Sequence, residues 1–287
     1  MLLWNIKVNF GERTMMYDAV IIGDDFSTTC QRGSTGRIHS VFDRAVNIEI
    51  KNSSQQLLTL IYEDIDIMSA NLVVRTMNNN WRDLLSENKQ VILTPDTLYV
   101  DNKPFILGIS TAQKWFRITD CQIAKMSHLA DQSNILELCQ EVESYLSLKE
   151  ISSIDFPDIN ISNLDPLALI GLGNGLTPSG DDFLSGLLHG LHFMEILFGI
   201  KFLPLSNIAL NISGQLFRTG SISQHFLRYA LKAQWGLNIE NFLLALILGD
   251  KEALIKSTDK KLRTGASSGY DEIMGCIYGI KQYILNS

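Results

Sequence analysis

The rhythm of apolar and polar positions changes once along this chain. Up to about residue 126 the apolar positions come in short runs rich in β-branched and aromatic residues, at 45–50, 57–62, 72–75, 91–94 and 97–100. Asn52-Ser53-Ser54 and Asp101-Asn102-Lys103-Pro104 separate such runs as turns. The pattern predicts an antiparallel sheet or small barrel, with one short helix over 81–85. From about Ser127 the spacing becomes helical, and 129–148 is the first clear amphipathic segment. A polar, proline-punctuated stretch from Ser152 through Pro157 to Pro166 reads as a long connection. Beyond it, helices are expected over 179–199, 206–218, 222–235, 239–248, 250–258 and 269–285. The expected fold is therefore α+β: a β-rich domain over 1–126, then a mostly helical domain over 127–287.

Two of the helix starts repeat one another. Ser179-Gly180-Asp181-Asp182-Phe183-Leu184-Ser185-Gly186-Leu187-Leu188-His189-Gly190 matches Ser268-Gly269-Tyr270-Asp271-Glu272-Ile273-Met274-Gly275-Cys276-Ile277-Tyr278-Gly279 as S-G-x-D-x-[LI]-x-G-x-[LI]-x-G. A serine at the N-cap and an aspartate three residues later suit a first helical turn, where unpaired amides and the macrodipole favour oxygen and negative charge. Ser221 with Gln224 reads as a capping box of another helix. Glycines four apart lie on one helix face, and each costs up to ~1 kcal/mol against alanine. Close backbone approach is the simplest compensation. If the repeats pack on each other, their starts converge on one ligand.

Gly171-Leu172-Gly173-Asn174-Gly175 precedes the first repeat. Three glycines in five residues permit positive φ angles and let backbone amides face an anion or acyl oxygen, although no Walker lysine follows, only Leu-Thr-Pro-Ser. The candidate ligand-binding residues here are Gly173, Asn174, Gly175, Thr177, Ser179 and Gly180, with Ser268 and Gly269 from the second repeat. Charge limits the idea, because Asp181 and Asp182 would repel a phosphate at that helix start. Two arrangements stay open: the pair holds a divalent ion such as Mg2+, or the aspartates bond neighbouring loops while the glycine loop and an arginine hold the ligand.

Arg228 and Arg218 are the candidate cations, since a guanidinium binds carboxylate or phosphate bidentately; Ser221, His225 and Arg228 share one helical face. In the N-terminal half Arg37 and His39, in Gly33-Ser34-Thr35-Gly36-Arg37-Ile38-His39-Ser40, offer a second ligand-binding wall, against the plainer reading of a polar turn before a strand. His189 and His192 read as packing histidines rather than metal ligands. Neither a G-x-S-x-G elbow nor an H-E-x-x-H helix occurs, which removes serine-hydrolase and zincin readings.

Composition narrows the class further. A formal net charge of -7 argues against a nucleic-acid surface. Four cysteines without paired spacing suggest reduced thiols and a cytoplasmic protein. Residues 183–203 approach the length of a bilayer span but carry His189, His192, Glu195 and Lys201, so a buried core helix is expected rather than a membrane segment.

The run from Gly171 to Gly186 resembles the signature of the bacterial AllH family, which includes the third subunit of oxamate carbamoyltransferase in allantoin degradation. Phe226-Leu227-Arg228-Tyr229-Ala230, Gly265-Ala266-Ser267-Ser268-Gly269-Tyr270-Asp271 and Gly36 to Asn47 agree with it, so the resemblance spans about 33–280. Asn174 stands where the family's run usually has proline. The resemblance implies carbamoyl transfer between phosphate and oxamate, with oxalurate as the carbamoylated partner, and a hetero-complex with acyl-CoA-synthetase-like subunits. On that reading the substrates are small anions. Asp182, Asp271 and Arg228 are the candidate catalytic residues, Arg228 for carboxylate and the aspartates for orientation or metal, with Asp181 and Asp182 as metal ligands. Two competing readings are a non-catalytic subunit that completes or docks on a partner, and a metal-dependent hydrolase using Asp181 and Asp182.

Overall fold

The computed structural model describes residues 16–51, 57–62, 65–75, 80–149, 151 and 166–286, so the turn at 52–54 and most of the 152–166 connection lie outside the described residues. The chain forms two compact units, one of Met1–Ser54, Leu58–Glu63 and Ala70–Lys114, the other of Gln55–Leu57, Asp64–Ser69 and Trp115–Ser287.

In the first, the strands are β1 (Tyr17–Gly23), β2 (Ser34–Val41), β3 (Ala45–Ile50), β4 (Leu57–Tyr62), β5 (Asn71–Arg75), β6 (Gln90–Leu93), β7 (Leu98–Val100) and β8 (Lys103–Leu107), with β9 (Gln113–Trp115) beside β1. The order β5-β4-β3-β2-β6-β7-β8-β1, with β1 also pairing β5, closes eight strands into a barrel. Closure removes the open edges that would otherwise invite pairing with other chains. The pairing is largely antiparallel, but β4 runs parallel to β5 and β1 parallel to β8. Burial alternates along β2, with Gly36, Ile38 and Ser40 on the inner face. Among these inner residues, Asn47 donates to Ser40 Oγ at 3.1 Å and accepts from Thr59 at 2.8 Å. The helix α2 (Trp81–Leu84) buries Trp81 completely; its ring stacks on Tyr62 with centroids 4.8 Å apart and lies near Tyr17 and Phe105.

Two local expectations need correcting. The stretch 34–41 is a strand rather than a turn, because Gly36 carries no Cβ and lets the carbonyl of Glu49 approach where a Cβ would sit 2.4 Å from it. Lys103 and Pro104, assigned above to a turn, begin β8, with the bend falling on Asp101 and Asn102 at positive φ. The helix α1 (Asp24–Gln31) was not anticipated; it is a polar stretch whose buried Phe26 and Cys30 are its only i, i+4 signal.

In the second unit, α3 (Asp120–Ala124), α4 (Gln132–Ser147), α5 (Pro166–Leu169), α6 (Ser179–Phe198), α7 (Leu203–Gln215), α8 (Ser221–Ala230), α9 (Leu237–Leu248), α10 (Lys251–Leu262) and α11 (Ser268–Asn286) surround one apolar core. Buried side chains lie on every face of α6 over most of its length, which makes it the central rod of this unit. No described helix is long and apolar enough to cross a membrane. The helix ends where Gly199 takes a left-handed φ of 69°, a conformation costly for residues with a Cβ.

The long partner of α6 is α11, and their glycines explain the fit. A Cβ on Gly186 would lie 1.8 Å from the carbonyl oxygen of Glu272, and one on Gly190 would lie 2.4 Å from that of Cys276. Reciprocally, Gly275 faces the carbonyl of Phe183 at 2.0 Å and Gly279 that of Leu187 at 2.6 Å. Each glycine of one repeat therefore meets, in the other, the residue equivalent to the one its own counterpart meets. The helices run in the same direction, in register, with a local two-fold relation, and both N-termini emerge at one end.

Candidate functional site

The convergence of the two N-termini builds the site. In front of α6, the glycines at 171, 173 and 175 all take positive φ (75°, 113° and 96°), as three glycines in five residues suggested. The loop folds back on the helix it precedes: Gly180 N–H donates to Leu172 O at 2.9 Å, and a Cβ on Gly173 would meet Ser179 N at 2.9 Å. Gly171 lies against the carbonyl of Arg218 in the same way. Residues 172–176, Asn174 among them, are exposed. The backbone at Gly180 and Gly269 is buried, against the carbonyls of Leu169 and Lys261 respectively.

Hydroxyls join the two helix starts. Thr177 Oγ1 and Ser268 Oγ share a hydrogen bond of 2.9 Å, and Ser179 Oγ lies 3.5 Å from Ser267 Oγ. The caps differ by one residue from expectation. Pro178, not Ser179, occupies the N-cap of α6, and Gly220, not Ser221, that of α8. Neither serine caps its helix, because each already lies in the first turn; Gln224 instead donates to Thr219 O at 2.9 Å.

The adjacent aspartates have separate tasks. Asp181 Oδ1 accepts from Gly171 N–H at 2.9 Å, while Oδ2 accepts from Thr219 and, at 2.6 Å, from Ser223. Both oxygens are thus used in fastening the glycine loop and the start of α8 to α6. Asp182 turns to the other side and hydrogen-bonds with the hydroxyls of Ser268 and Thr177. The two carboxyls therefore do not face one shared ion, and the arrangement in which aspartates bond neighbouring loops is the one the geometry favours for Asp181. No group of three or more His, Cys, Asp or Glu side chains with metal-site spacing occurs among the described residues.

Asp182 is 8% exposed, and its Oδ2 has no hydrogen-bond partner. Burial pushes its carboxyl up to about 8, with the negative charges of Glu272 and Asp271 adding to the rise and the hydroxyls of Ser268 and Thr177 opposing it. Its protonated form is thereby favoured at pH 7. Asp271, fully buried, holds the equivalent place on α11.

Behind the site lies a buried ionic chain that sequence reasoning missed. Lys261 Nζ is 2.7 Å from Glu272 Oε2 and 3.0 Å from Asp66 Oδ2. Burial opposes the charges on Lys261 and Glu272, but their mutual attraction outweighs it, holding the ammonium well above its ordinary value and the carboxylate at about 2. His189 places Nδ1 3.2 Å from Glu272 Oε1 and Nε2 3.2 Å from Gln234 O. Asp66 also accepts from Asn238 N–H at 2.8 Å. Nothing in the sequence links Asp66 to Lys261, and Lys260-Lys261 reads as a solvated pair.

The remaining candidates stand elsewhere. Arg228 is half-buried on α8 and reaches the carbonyl and side chain of Gln224 at 3.5 and 3.4 Å. Arg218 is exposed. Arg37 and His39 are on β2 of the barrel unit, where Arg37 pairs with Glu49 across the β2–β3 ladder at 2.7 Å and His39 Nδ1 meets Ser40 Oγ at 3.1 Å.

These contacts weaken the charge objection to an anion: three donors hold the Asp181 carboxylate, burial favours the protonated form of Asp182, and Glu272 is paired with Lys261. What the two aligned helix N-termini share is a set of four hydroxyls and the buried carboxyl of Asp182.

Two family models match the chain. One, described as oxamate carbamoyltransferase subunit AllH, covers residues 169–280; the other, described as the AllH family N-terminal domain, covers residues 15–114. No solved structure matches it.

Proposed function

Because the chain belongs to the AllH family of oxamate carbamoyltransferase subunits, we propose that the α6–α11 end binds the carbamoyl and phosphate groups exchanged in oxalurate + phosphate = oxamate + carbamoyl phosphate. The observation that carries this reading is Asp182: a buried, neutral carboxylic acid with a free oxygen at the meeting point of two helix N-termini.

Each part has a task in that chemistry. In the direction of oxalurate synthesis the oxamate nitrogen attacks the carbamoyl carbon, and the bond from that carbon to the phosphate oxygen breaks. Negative charge gathers on the carbamoyl oxygen and then on the departing phosphate. In this reading the amides of the exposed loop at 173–176 are the donors for that charge, those of Gly180 and Gly269 being already bonded to Leu172 O and Thr264 O. Asp182 gives its proton to the phosphate as it leaves, a role matched to a pKa near the working pH. In this reading Asp271 accepts the proton shed by the attacking nitrogen and Arg228 holds the oxamate carboxylate. Asn174 in the exposed loop, with Thr177 and Ser179 behind it, orients the ligand. No step is assigned to Mg2+, since both oxygens of Asp181 already accept hydrogen bonds.

The test is thermal unfolding of the purified chain with carbamoyl phosphate, phosphate, oxamate or oxalurate, beside Asp182→Asn. A ligand at about 100 times its dissociation constant stabilises a fold by roughly 2.7 kcal/mol. The expected result is stabilisation by carbamoyl phosphate that fades above about pH 8 and is absent in the variant. Stabilisation unchanged in Asp182→Asn would remove Asp182 from the site; none with any ligand would place ligand binding outside this chain.

A further inference from the structure

Each of the two helix starts has an arginine at its side, and the repeat shows how. The carbonyl of Leu169 presses on Gly180 at the start of α6, and the carbonyl of Lys261 presses on Gly269 at the start of α11. Leu169 and Lys261 are therefore counterparts, and so, two residues further on, are Gly171 and Arg263. Where the α11 half has Arg263 itself, the α6 half has a glycine that admits a second segment: a Cβ on Gly171 would lie 2.8 Å from the carbonyl oxygen of Arg218.

Arg218 and Arg263 are exposed, yet the backbone of each is pinned at the site. Arg218 closes the 3-10 turn Leu216–Arg218 after α7, and the next residue, Thr219, donates to Asp181 in the first turn of α6. Arg263 is the C-cap of α10, and the next residue, Thr264, accepts from Gly269 N–H at 3.1 Å in the first turn of α11. Neither guanidinium has a hydrogen-bond or ion-pair partner among the described residues. Arg228, by contrast, already reaches Gln224 at 3.5 and 3.4 Å. Asp182 gives this end a second mark of a ligand, because its Oδ2 is buried there without a partner. The chain carries a net charge of -7, so local cations are what would draw an anion to one place on it. A cation at a helix C-terminus also suits the macrodipole. Lysine serves that purpose as well as arginine, whereas a fork of N–H donors serves oxyanion recognition.

We propose that Arg218 and Arg263 are the phosphate-recognition residues of this site, one guanidinium from each half of the repeat closing on free phosphate or on the phosphate group of carbamoyl phosphate. The proposal rests on the reading of the α6–α11 end as the place where those anions bind, and adds the charged groups that hold them there. The amides of the glycine loop are neutral donors; the two arginines bring the positive charge that a phosphate dianion requires, and its several oxygens can engage both forks at once.

Isothermal titration calorimetry of the full-length chain with inorganic phosphate and with carbamoyl phosphate tests this, on Arg218→Gln, Arg263→Gln, the double variant, the corresponding lysine pair and Asp182→Asn. Each single glutamine variant is expected to weaken both ligands about tenfold or more, and the double variant about a hundredfold. The lysine pair should keep the wild-type unfolding temperature and recover only part of the affinity, since an ammonium is a point charge without the fork. Wild-type affinity in the double glutamine variant overturns the proposal; if Asp182→Asn then loses binding, the wider reading stands without it. Loss in the arginine variants beside full binding in Asp182→Asn supports the arginines and removes Asp182 instead. A wild type that binds neither anion overturns both.

Discussion

The wall of the barrel and the seam between α6 and α11 treat charge in opposite ways. On β2 and β3, Arg37 and Glu49 pair across the ladder with both side chains about half exposed, where water already satisfies them and the pair adds little. Behind the seam, Lys261, Glu272 and Asp66 pair out of water, and Asp182 keeps a proton that a solvated carboxyl would lose. Unusual protonation needs burial, and burial of charge needs partners. The helical unit supplies both, which is why the chemistry is assigned there.

The contrast can be broken most severely at the seam itself. Gly186→Val would drive a side chain into the Glu272 carbonyl, which lies 1.8 Å from the position of a Cβ. Overpacking of about 3 kcal/mol or more is expected, read as loss of the cooperative thermal transition; a variant that folds at the wild-type temperature would mean the helices do not touch there. Next comes Lys261→Met, which strands Glu272 and Asp66 as buried carboxylates and should destabilise by about 3–5 kcal/mol. Adding Glu272→Gln and Asp66→Asn should recover much of that loss in urea unfolding, whereas no recovery would show that Lys261 acts through packing alone.

Asp182→Asn sharpens the comparison through its sign. The folded carboxyl, at about 8, lies above its unfolded value near 4, so the folded chain binds the extra proton across that window. The stability Asp182 contributes is present below about pH 4 and is lost as pH rises through about 8. Asparagine is neutral throughout, so the variant should gain several degrees of Tm over wild type near pH 8.5 and little near pH 5. An equal change at both values would mean the carboxyl is ordinary. The smallest effect is expected from Arg37→Ala, within about 1 kcal/mol in stability and without change in carbamoyl phosphate binding; loss of that binding would move the site toward the barrel unit.

Much of this was legible in the sequence where the signal is local. The repeat at Ser179 and Ser268 announced two similar helix starts, and glycines at constant spacing announced a close approach. The glycine triplet at 171–175 announced positive φ. The helices near 179–199 and 269–285 were recovered to within a residue or so because each is long and periodic. What escaped was set by distant partners. Asp66 and Lys261 are 195 residues apart, and no local pattern marks them as a pair. The separate tasks of Asp181 and Asp182 depend on Thr219, Ser223 and Ser268, none of which is a sequence neighbour. The strand at 34–41 was hidden because Ile38 is the one large apolar residue on its inner face, between Gly36 and Ser40, the latter bonded to Asn47.

The in-register glycine seam also sets an order of events at the ribosome. Ser268 is synthesised about 90 residues after Ser179, so at roughly 5–20 residues per second the glycine face of α6 waits on the order of 5–20 s before its mate exists. During that interval the bare backbone groove and the apolar flanks of α6 are open to chaperones and to neighbouring nascent chains. A chain interrupted before α11 would carry the entire glycine loop and still lack the second half of the cradle. The close α6–α11 approach is thereby reserved for molecules whose translation has run through the second repeat.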